Sequence, residues 1–471
     1  METITLIQIL TLSLGFYMAW NIGANDVANA MGTSVGSKAL TLKKAVFLAA
    51  ILEFSGAYFV GSSVSETIQK GIVEPSVFQS DPMIFVFGMM GSLLATGALL
   101  QIASYFGLPV STTHAIVGAV LGFGLCIGGP SAIHWSTLGW IASSWILSPV
   151  LSGIVSYAIF SLIQRKILFA LDPIEASQKL TPFFIFLCVA IAVLSLVYHG
   201  LNLHLSIWMA ISLSCTAGLL AAWISRPFIL RITEPAVQLN NGFHPYQAVS
   251  LEKALHHLQR VHLSNRNLSY SQEISQIVTR VQSLNDTVKK TTPELYSSHH
   301  HYHGVEKIFI VLQIISACLV AFAHGANDVA NAIGPVAAVL DVLKHRMLSG
   351  TSAVPSWLLA LGGGGIVIGL ATWGWRVIET IGHKITELTP TRGFSAEFGA
   401  AFTILLASKM GLPISTTHAL IGAVLGVGLA RGLKALNLQT IKEIVVSWMV
   451  TIPLCALFSI LTFYLLKFCF A

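Results

Sequence analysis

The chain has 471 residues, of which 26 are basic and 20 acidic, so only 10% carry charge, against roughly 25% in soluble domains. Hydrophobic residues make up 54%, mean hydropathy is +0.76 and glycine occurs 39 times; this composition excludes disorder, a secreted disulfide scaffold and an ordinary cytosolic enzyme, and matches membrane-spanning helices packed through small residues. The net charge of +6 reports basic cytoplasmic loops rather than a nucleic-acid partner, because no basic patch is interleaved with aromatics.

In chain order, residues 4–22 are the first apolar stretch. No basic leader or A-x-A site accompanies it, so a retained helix is expected rather than a signal peptide. It runs into Gly23–Ala30, GANDVANA, which sets Asn25, Asp26 and Asn29 in what should be hydrocarbon. An acid there costs about 2.5–3.5 kcal/mol and needs a partner, a cavity or an ion. The small neighbours Gly23, Ala24, Ala28 and Ala30 predict close backbone approach and local unwinding that frees carbonyl oxygens. A carboxylate among amide and carbonyl oxygens suits a hard cation such as Na⁺, or a proton-carrying site. The alternative is a polar helix contact, with Asp26 capping a broken helix.

The next apolar stretches are 43–63, which carries Glu53, and 83–103. Residues 107–128 are Gly-rich with a polar start, GLPVSTTH, and predict a broken or re-entrant helix. Pro109 suits the first turn of a helix, so Ser111, Thr112 and Thr113 gather with free N–H groups at its positive end, an arrangement that binds an oxyanion. The alternative is a plain Ser/Thr N-cap. Stretches 136–163, 182–200 and 205–225 follow.

Residues 226–306 are the hydrophilic region, with 14 charges and 8 of the 16 histidines. Within it Ile274, Ile277, Val281, Leu284 and Val288 have the spacing of an amphipathic helix, packed on the membrane face or paired in a short coiled coil. The tract His299, His300, His301, Tyr302, His303 is either a solvated run or a metal ligand set. Apolar stretches resume at 306–323, 356–381, 395–409 and 444–468, with a second broken segment at 411–430. Gly362–Gly365 predicts a bend or a close approach, and Lys409 either snorkels or attracts an anion. The six cysteines stand singly in mostly apolar runs, as small buried hydrophobes do.

The main signal is duplication. GANDVANA returns unchanged at Gly325–Ala332, carrying Asn327 and Asp328, and GLPVSTTHAIVGAVLGFG from Gly107 returns as GLPISTTHALIGAVLGVG from Gly411, carrying Ser415, Thr416 and Thr417. Both words recur in the same order, so two homologous halves flank a central loop. The expected fold is all-α and polytopic, with about twelve crossings in two inverted repeats containing broken or re-entrant helices. Inverted repeats are a transporter architecture with substrate and ions near the midplane. The expected divisions are a first repeat half at 1–165, additional helices at 166–225, a partly helical cytoplasmic loop at 226–306 and a second half at 307–471. Glu53 and Glu397 have no acidic counterparts; they are ion ligands, proton carriers or ordinary buried pairs. His114 and His418 are satisfied helix histidines or substrate contacts. Lys38, Lys43 and Lys44 against Glu66, Glu74 and Asp81 place both termini outside and the central loop in the cytoplasm, with Lys344 and Arg346 dissenting.

Two GANDVANA and two GLP[VI]STTH words resemble the hallmark of the PiT-type inorganic phosphate transporters, and the resemblance spans nearly the whole chain outside 226–306. It implies a multi-pass, homodimeric symporter of the inner or plasma membrane that imports inorganic phosphate with Na⁺ or H⁺ by alternating access, with no other cofactor. It assigns phosphate to Ser111, Thr112, Thr113, Ser415, Thr416 and Thr417. Coupling ions go to Asn25, Asp26, Asn327, Asp328, Glu53 and Glu397, with Asp26 and Asp328 as Na⁺ ligands if sodium is the coupling ion. A permease for sulfate or another oxyanion is the alternative within the same architecture. An intramembrane enzyme is disfavoured, since adjacent Ser and His do not face each other on a helix and no HExxH or GxSxG occurs.

Overall fold

The structure, a computed structural model, describes residues 2–108, 110–170, 172–200, 205–232, 245–264, 268–291, 303–345, 353–375, 377–378, 389–432 and 438–470. Pro109, His299–Tyr302 and Arg346 lie outside them. Among the described residues the secondary structure is helical apart from one isolated bridge, Val73 to Ile133. The helices are α1 (Glu2–Gly36), α2 (Leu42–Val60), α3 (Ser62–Lys70), α4 (Pro82–Tyr105), α5 (Thr112–Phe123), α6 (Trp135–Ile163), α7 (Pro173–Ser195) and α8 (Ile207–Leu230). There follow α9 (Pro245–Ser264), α10 (Leu268–Thr291), α11 (His303–His345), α12 (Ser356–Thr372), α13 (Pro390–Lys409), α14 (Thr416–Arg431) and α15 (Leu438–Phe470). Among the described residues seven helices are long and apolar enough to cross a membrane, or eight if α2 and α3, bent by 63°, form one span. Three shorter apolar helices, Thr112–Gly128, Ser356–Thr372 and Thr416–Arg431, add to these.

The chain divides into two compact units, the first comprising Met1–Ser161, Phe183–Trp223 and Ile310–Ala471. In it the expected unwinding at the duplicated words does not occur. Helix α1 runs unbroken through Gly23–Ala30, and α11 through Gly325–Ala332. Their small residues serve close approach instead: a β-carbon on Gly23 would stand 1.9 Å from the Ile366 carbonyl oxygen, and one on Gly325 would stand 2.0 Å from that of Glu53. The Gly362–Gly365 run likewise packs rather than bends, with Gly365 against Ala19 and Gly362 against Val329 and Ile333 inside a continuous α12.

The discontinuities fall elsewhere. Helix α2 ends at Gly61 and α3 starts there at a new angle. Gly107 and Gly411 have φ of 65° and 66°, the left-handed region that glycine enters without a steric penalty, and each turns the chain toward a short half-helix, α5 or α14. These half-helices and the duplicated words lie in the buried centre, whereas the outer helices expose apolar side chains. The apolar window of α4 is 72% buried but that of α8 only 17%, as suits a helix facing lipid.

The second unit comprises Leu162–Pro182 and Ile224–Phe309. Here α9 and α10 pack against one another. The predicted amphipathic residues all lie on α10, where Val288 is buried while Ile277 and Leu284 are exposed. The Asp172 carboxylate accepts from the N–H groups of Ile174 and Glu175 at 3.0 and 2.9 Å and so caps α7.

Candidate functional site

The two words on α1 and α11 meet the two half-helices through paired contacts. Asn25 donates its amide to Ser104 Oγ at 3.0 Å and to the Leu108 carbonyl at 3.1 Å. Asn327 does the same to Ser408 Oγ at 3.1 Å and Leu412 at 3.3 Å. Each asparagine thereby satisfies a carbonyl in the Gly-Leu-Pro turn and fixes where the following half-helix begins.

The next asparagines cross between the halves. Asn29 donates to Thr417 Oγ1 at 2.8 Å, and Asn331 donates to Thr112 Oγ1 and Thr113 Oγ1, both at 3.2 Å. Thr416 donates to Asp328 Oδ2 at 2.9 Å, and Thr113 to the Ile414 carbonyl at 2.9 Å. Ser111 and Ser415 accept the N–H of His114 and His418, each at 3.2 Å, so both serines are N-caps. The N–H groups of Thr112, Thr113, Thr416 and Thr417 stand in the first turns of α5 and α14, where a helix supplies no carbonyl for them. The rings of His114 and His418 meet edge to face with centroids 4.3 Å apart, and Trp145 packs on His114 at 3.9 Å. Both histidines therefore sit inside the helix packing.

The carboxylates separate into two places. Asp26 and Asp328 come together: they and His324 each offer an atom within 4.8 Å of the others. His324 stands between acids, with Nε2 3.0 Å from Asp328 Oδ2 and Nδ1 3.2 Å from Glu53 Oε1, all three residues being fully buried. Asp26 Oδ2 and Asp328 Oδ1 in this cluster, and Asn327 Oδ1 and Asn331 Oδ1 on α11, are buried acceptors with no protein donor, and the close His324 and Glu53 contacts are ion-pair distances without hydrogen-bond geometry. Buried oxygens without donors are costly, and a cluster of them among carboxylates is the ligand set of a hard cation.

Glu397 is not part of this cluster. It accepts from Thr33, from Ser34 at 2.7 Å, from Ser316 and from Gln313 at 3.4 Å. Thr33 is seven residues beyond Asp26 on α1, roughly 10 Å along the axis. Lys409 is exposed and stands over the Tyr198 ring at 4.5 Å. Sequence reasoning passed over His324, Gln313 and Ser316. For His324 a signal was present, because the residue before the second word is a histidine four positions from Asp328, where the first copy has Ile22.

Residues 22–459 match the family model described as the phosphate transporter family. The chain belongs to that family. It is 45% identical over 458 residues to inorganic phosphate transporter 2-1, chloroplastic, of Arabidopsis thaliana, covering 97% of this chain and 71% of that one. A putative phosphate permease of Chlamydia pneumoniae is 46% identical, with 98% of each chain covered, and one of Pyrococcus abyssi is 41% identical, with 97% of each. A solved structure described as the sodium-dependent phosphate transporter superposes with a TM-score of 0.79 at 36% identity, covering 98% of this chain and 99% of that one. As a member of this family the chain is a multi-pass membrane transporter.

Proposed function

We propose that the chain is a secondary active symporter that imports inorganic phosphate together with Na⁺ or H⁺ by alternating access. The observation that carries this reading is the juxtaposition, in one buried place, of donor-less oxygens on Asp26, Asp328, Asn327 and Asn331 with the first turns of two half-helices. One set wants a cation, the other an oxyanion, and neither ligand alone is neutralised there. Cations at the Asp26 and Asp328 words, with Asn25, Asn327 and Glu53 as their surroundings, offset a phosphate held by Thr112, Thr113, Thr416 and Thr417 and their N–H groups. Ser111 and Ser415 set the start of each half-helix. Glu397, on its separate network, is a second coupling-ion position along α1. The sodium dependence named for the structural neighbour supports Na⁺ as the ion.

In this reading residues 1–165 and 307–471 are inverted repeats in a twelve-crossing topology, with both termini outside, the 226–306 loop cytoplasmic and two copies forming a dimer. The duplicated words and the paired asparagine contacts support the repeat. Loading both ligands removes net charge from the site and lets one half rock against the other. The test is uptake of radiolabelled phosphate into proteoliposomes under separately imposed Na⁺ and H⁺ gradients, with sulfate as competitor. Gradient-driven phosphate accumulation that sulfate does not suppress is expected. No accumulation under either gradient would overturn the reading, and suppression by sulfate would move the assignment to a general oxyanion permease.

A further inference from the structure

The two halves of the site share their asparagine contacts to the Gly-Leu-Pro turns and differ in chemistry at one helix crossing. A β-carbon on Gly23 would meet the Ile366 carbonyl and one on Gly369 would meet that of Trp20; in the other crossing Gly325 faces the Glu53 carbonyl and Gly56 that of Phe322. In both crossings the same spacing relates the partners, with 302 residues separating Trp20 from Phe322 and Gly23 from Gly325, and 313 separating Glu53 from Ile366 and Gly56 from Gly369. The crossings α1 with α12 and α11 with α2 are therefore two copies of one arrangement, and Glu53 occupies the place of Ile366, His324 that of Ile22. All four side chains are fully buried. An apolar pair in one copy is an ionisable pair in the other.

The consequence falls on the aspartates. Ile22 precedes Asp26 by four residues and His324 precedes Asp328 by four, so each stands on the same helix face as its aspartate. Asp26 Oδ1 accepts from Asn29 at 3.3 Å, Thr112 is a further partner, and Oδ2 has no donor. Asp328 Oδ2 accepts from Thr416 and also lies 3.0 Å from the His324 imidazole, which Glu53 holds from behind. The imidazole also has an atom within 4.8 Å of Asp26, but its two short contacts are to Asp328 and Glu53. Beyond the shared threonine contact, the side chain one turn before the aspartate is an imidazole 3.0 Å from it in the second half and a hydrocarbon in the first.

We infer that His324, backed by Glu53, is a positioning residue that makes the two aspartates unequal cation sites. It adds a ring nitrogen to the Asp328 oxygen that Thr416 already holds, a contact with no counterpart at Asp26, so a cation binds first and more tightly at Asp26 and second, more weakly, at Asp328. This inference rests on the coupled-transport reading above and adds an order of loading to it. The expected gap is about tenfold or more in affinity, because a cation at Asp328 competes with a buried imidazole 3.0 Å from that carboxylate.

The test is equilibrium binding of ²²Na⁺ to the purified full-length chain, with the cation-dependent rise in unfolding midpoint as a second readout and choline chloride holding ionic strength constant. The wild type is expected to bind in two phases. Asp26→Asn removes the tighter phase and Asp328→Asn the weaker. Replacing both Glu53→Ile and His324→Ile puts on the second crossing the apolar pair that the first already accommodates, and draws the two phases to within about threefold of each other. His324→Gln, which retains an N–H donor toward Asp328, keeps them apart. A single phase in the wild type, loss of the same phase by both aspartate variants, or an unchanged gap in the isoleucine pair overturns the inference while leaving the transport reading intact. If the isoleucine pair yields no folded protein, the two aspartate variants decide alone. Complete absence of Na⁺ binding, together with proton-only uptake in liposomes, removes sodium from the site and overturns the inference for that ion. Absence of binding with no coupled uptake at all overturns both.

Discussion

The amide of Asn29 lies 2.8 Å from the hydroxyl of Thr417, 388 residues further along the chain. Together with the contacts of Asn331 to Thr112 and Thr113, it stitches the word of each half to the half-helix of the other. The buried polar site is thus jointly owned, and in the proposed symporter each cation ligand set is mechanically tied to the opposite oxyanion end.

Cutting one stitch should harm both functions of the site. Thr417→Val leaves a buried amide without its acceptor, a loss of about 1–3 kcal/mol. A lower unfolding midpoint and a raised KM for both phosphate and the coupling cation are expected, and Asn331→Ala should repeat the pattern from the other side. A change confined to one ligand would contradict the shared site.

In the proposed mechanism the aspartates carry charge that the coupling cations neutralise, and amides of the same shape keep the packing. Asp26→Asn and Asp328→Asn should each abolish coupled uptake while leaving a monodisperse, helical protein, checked by size-exclusion chromatography, circular dichroism and liposome uptake. Full uptake by both variants would remove these residues from the ion path.

Close approach at the crossings predicts a steric result. With a carbonyl oxygen 1.9 or 2.0 Å from the added carbon, Gly23→Ala and Gly325→Ala force the helices apart and should cost at least the ~1–3 kcal/mol of overpacking. Gly364→Ala, where the added carbon meets nothing within 4 Å, is the control and should leave thermal stability unchanged. Equal stability of all three would show that the crossings do not depend on these glycines.

Outside the spans, the Glu74 carboxylate accepts from the Ser76 N–H at 3.1 Å and lies 2.7 Å from His134 Nε2. Its contacts with Ser76, then His134, hold its pKa below the ordinary value of 4.5. A lowered folded-state value stabilises the protein above the unfolded value and is lost as pH falls through the folded one. The stability difference between wild type and Glu74→Gln should therefore be constant above about pH 5 and shrink as the pH falls below the usual carboxylate range. Unfolding midpoints across acidic pH measure this, and a difference that grows on acidification would refute it.

Much of the site is legible in the sequence. An acid and two amides inside hydrocarbon demand partners, and an eight-residue word that returns intact marks where those partners are needed twice. The half-helices were legible for a similar reason, since a Gly-Leu-Pro turn before Ser-Thr-Thr can only start a helix. The reading that α1 unwinds at its word went astray because Gly and Asn lower helix propensity in isolation, whereas here the helix is held by the packing of Gly23 on Ile366 and by Asn side chains that donate outward rather than to their own backbone.

What the sequence by itself determined is the environment and the inventory: a chain too poor in charge to live in water, and two copies of each polar word whose burial requires partners. What only the tertiary structure decided is which groups meet. Glu53 and His324 are 271 residues apart and show no periodicity that links them; they pair because two glycines let α2 and α11 touch backbone to backbone. Glu397, equally acidic and equally buried, is carried by α13 to hydroxyls two turns away from the aspartates. Burial can be inferred from composition, because it depends on each residue's own transfer energy, but partnership depends on helix crossings that no local pattern encodes.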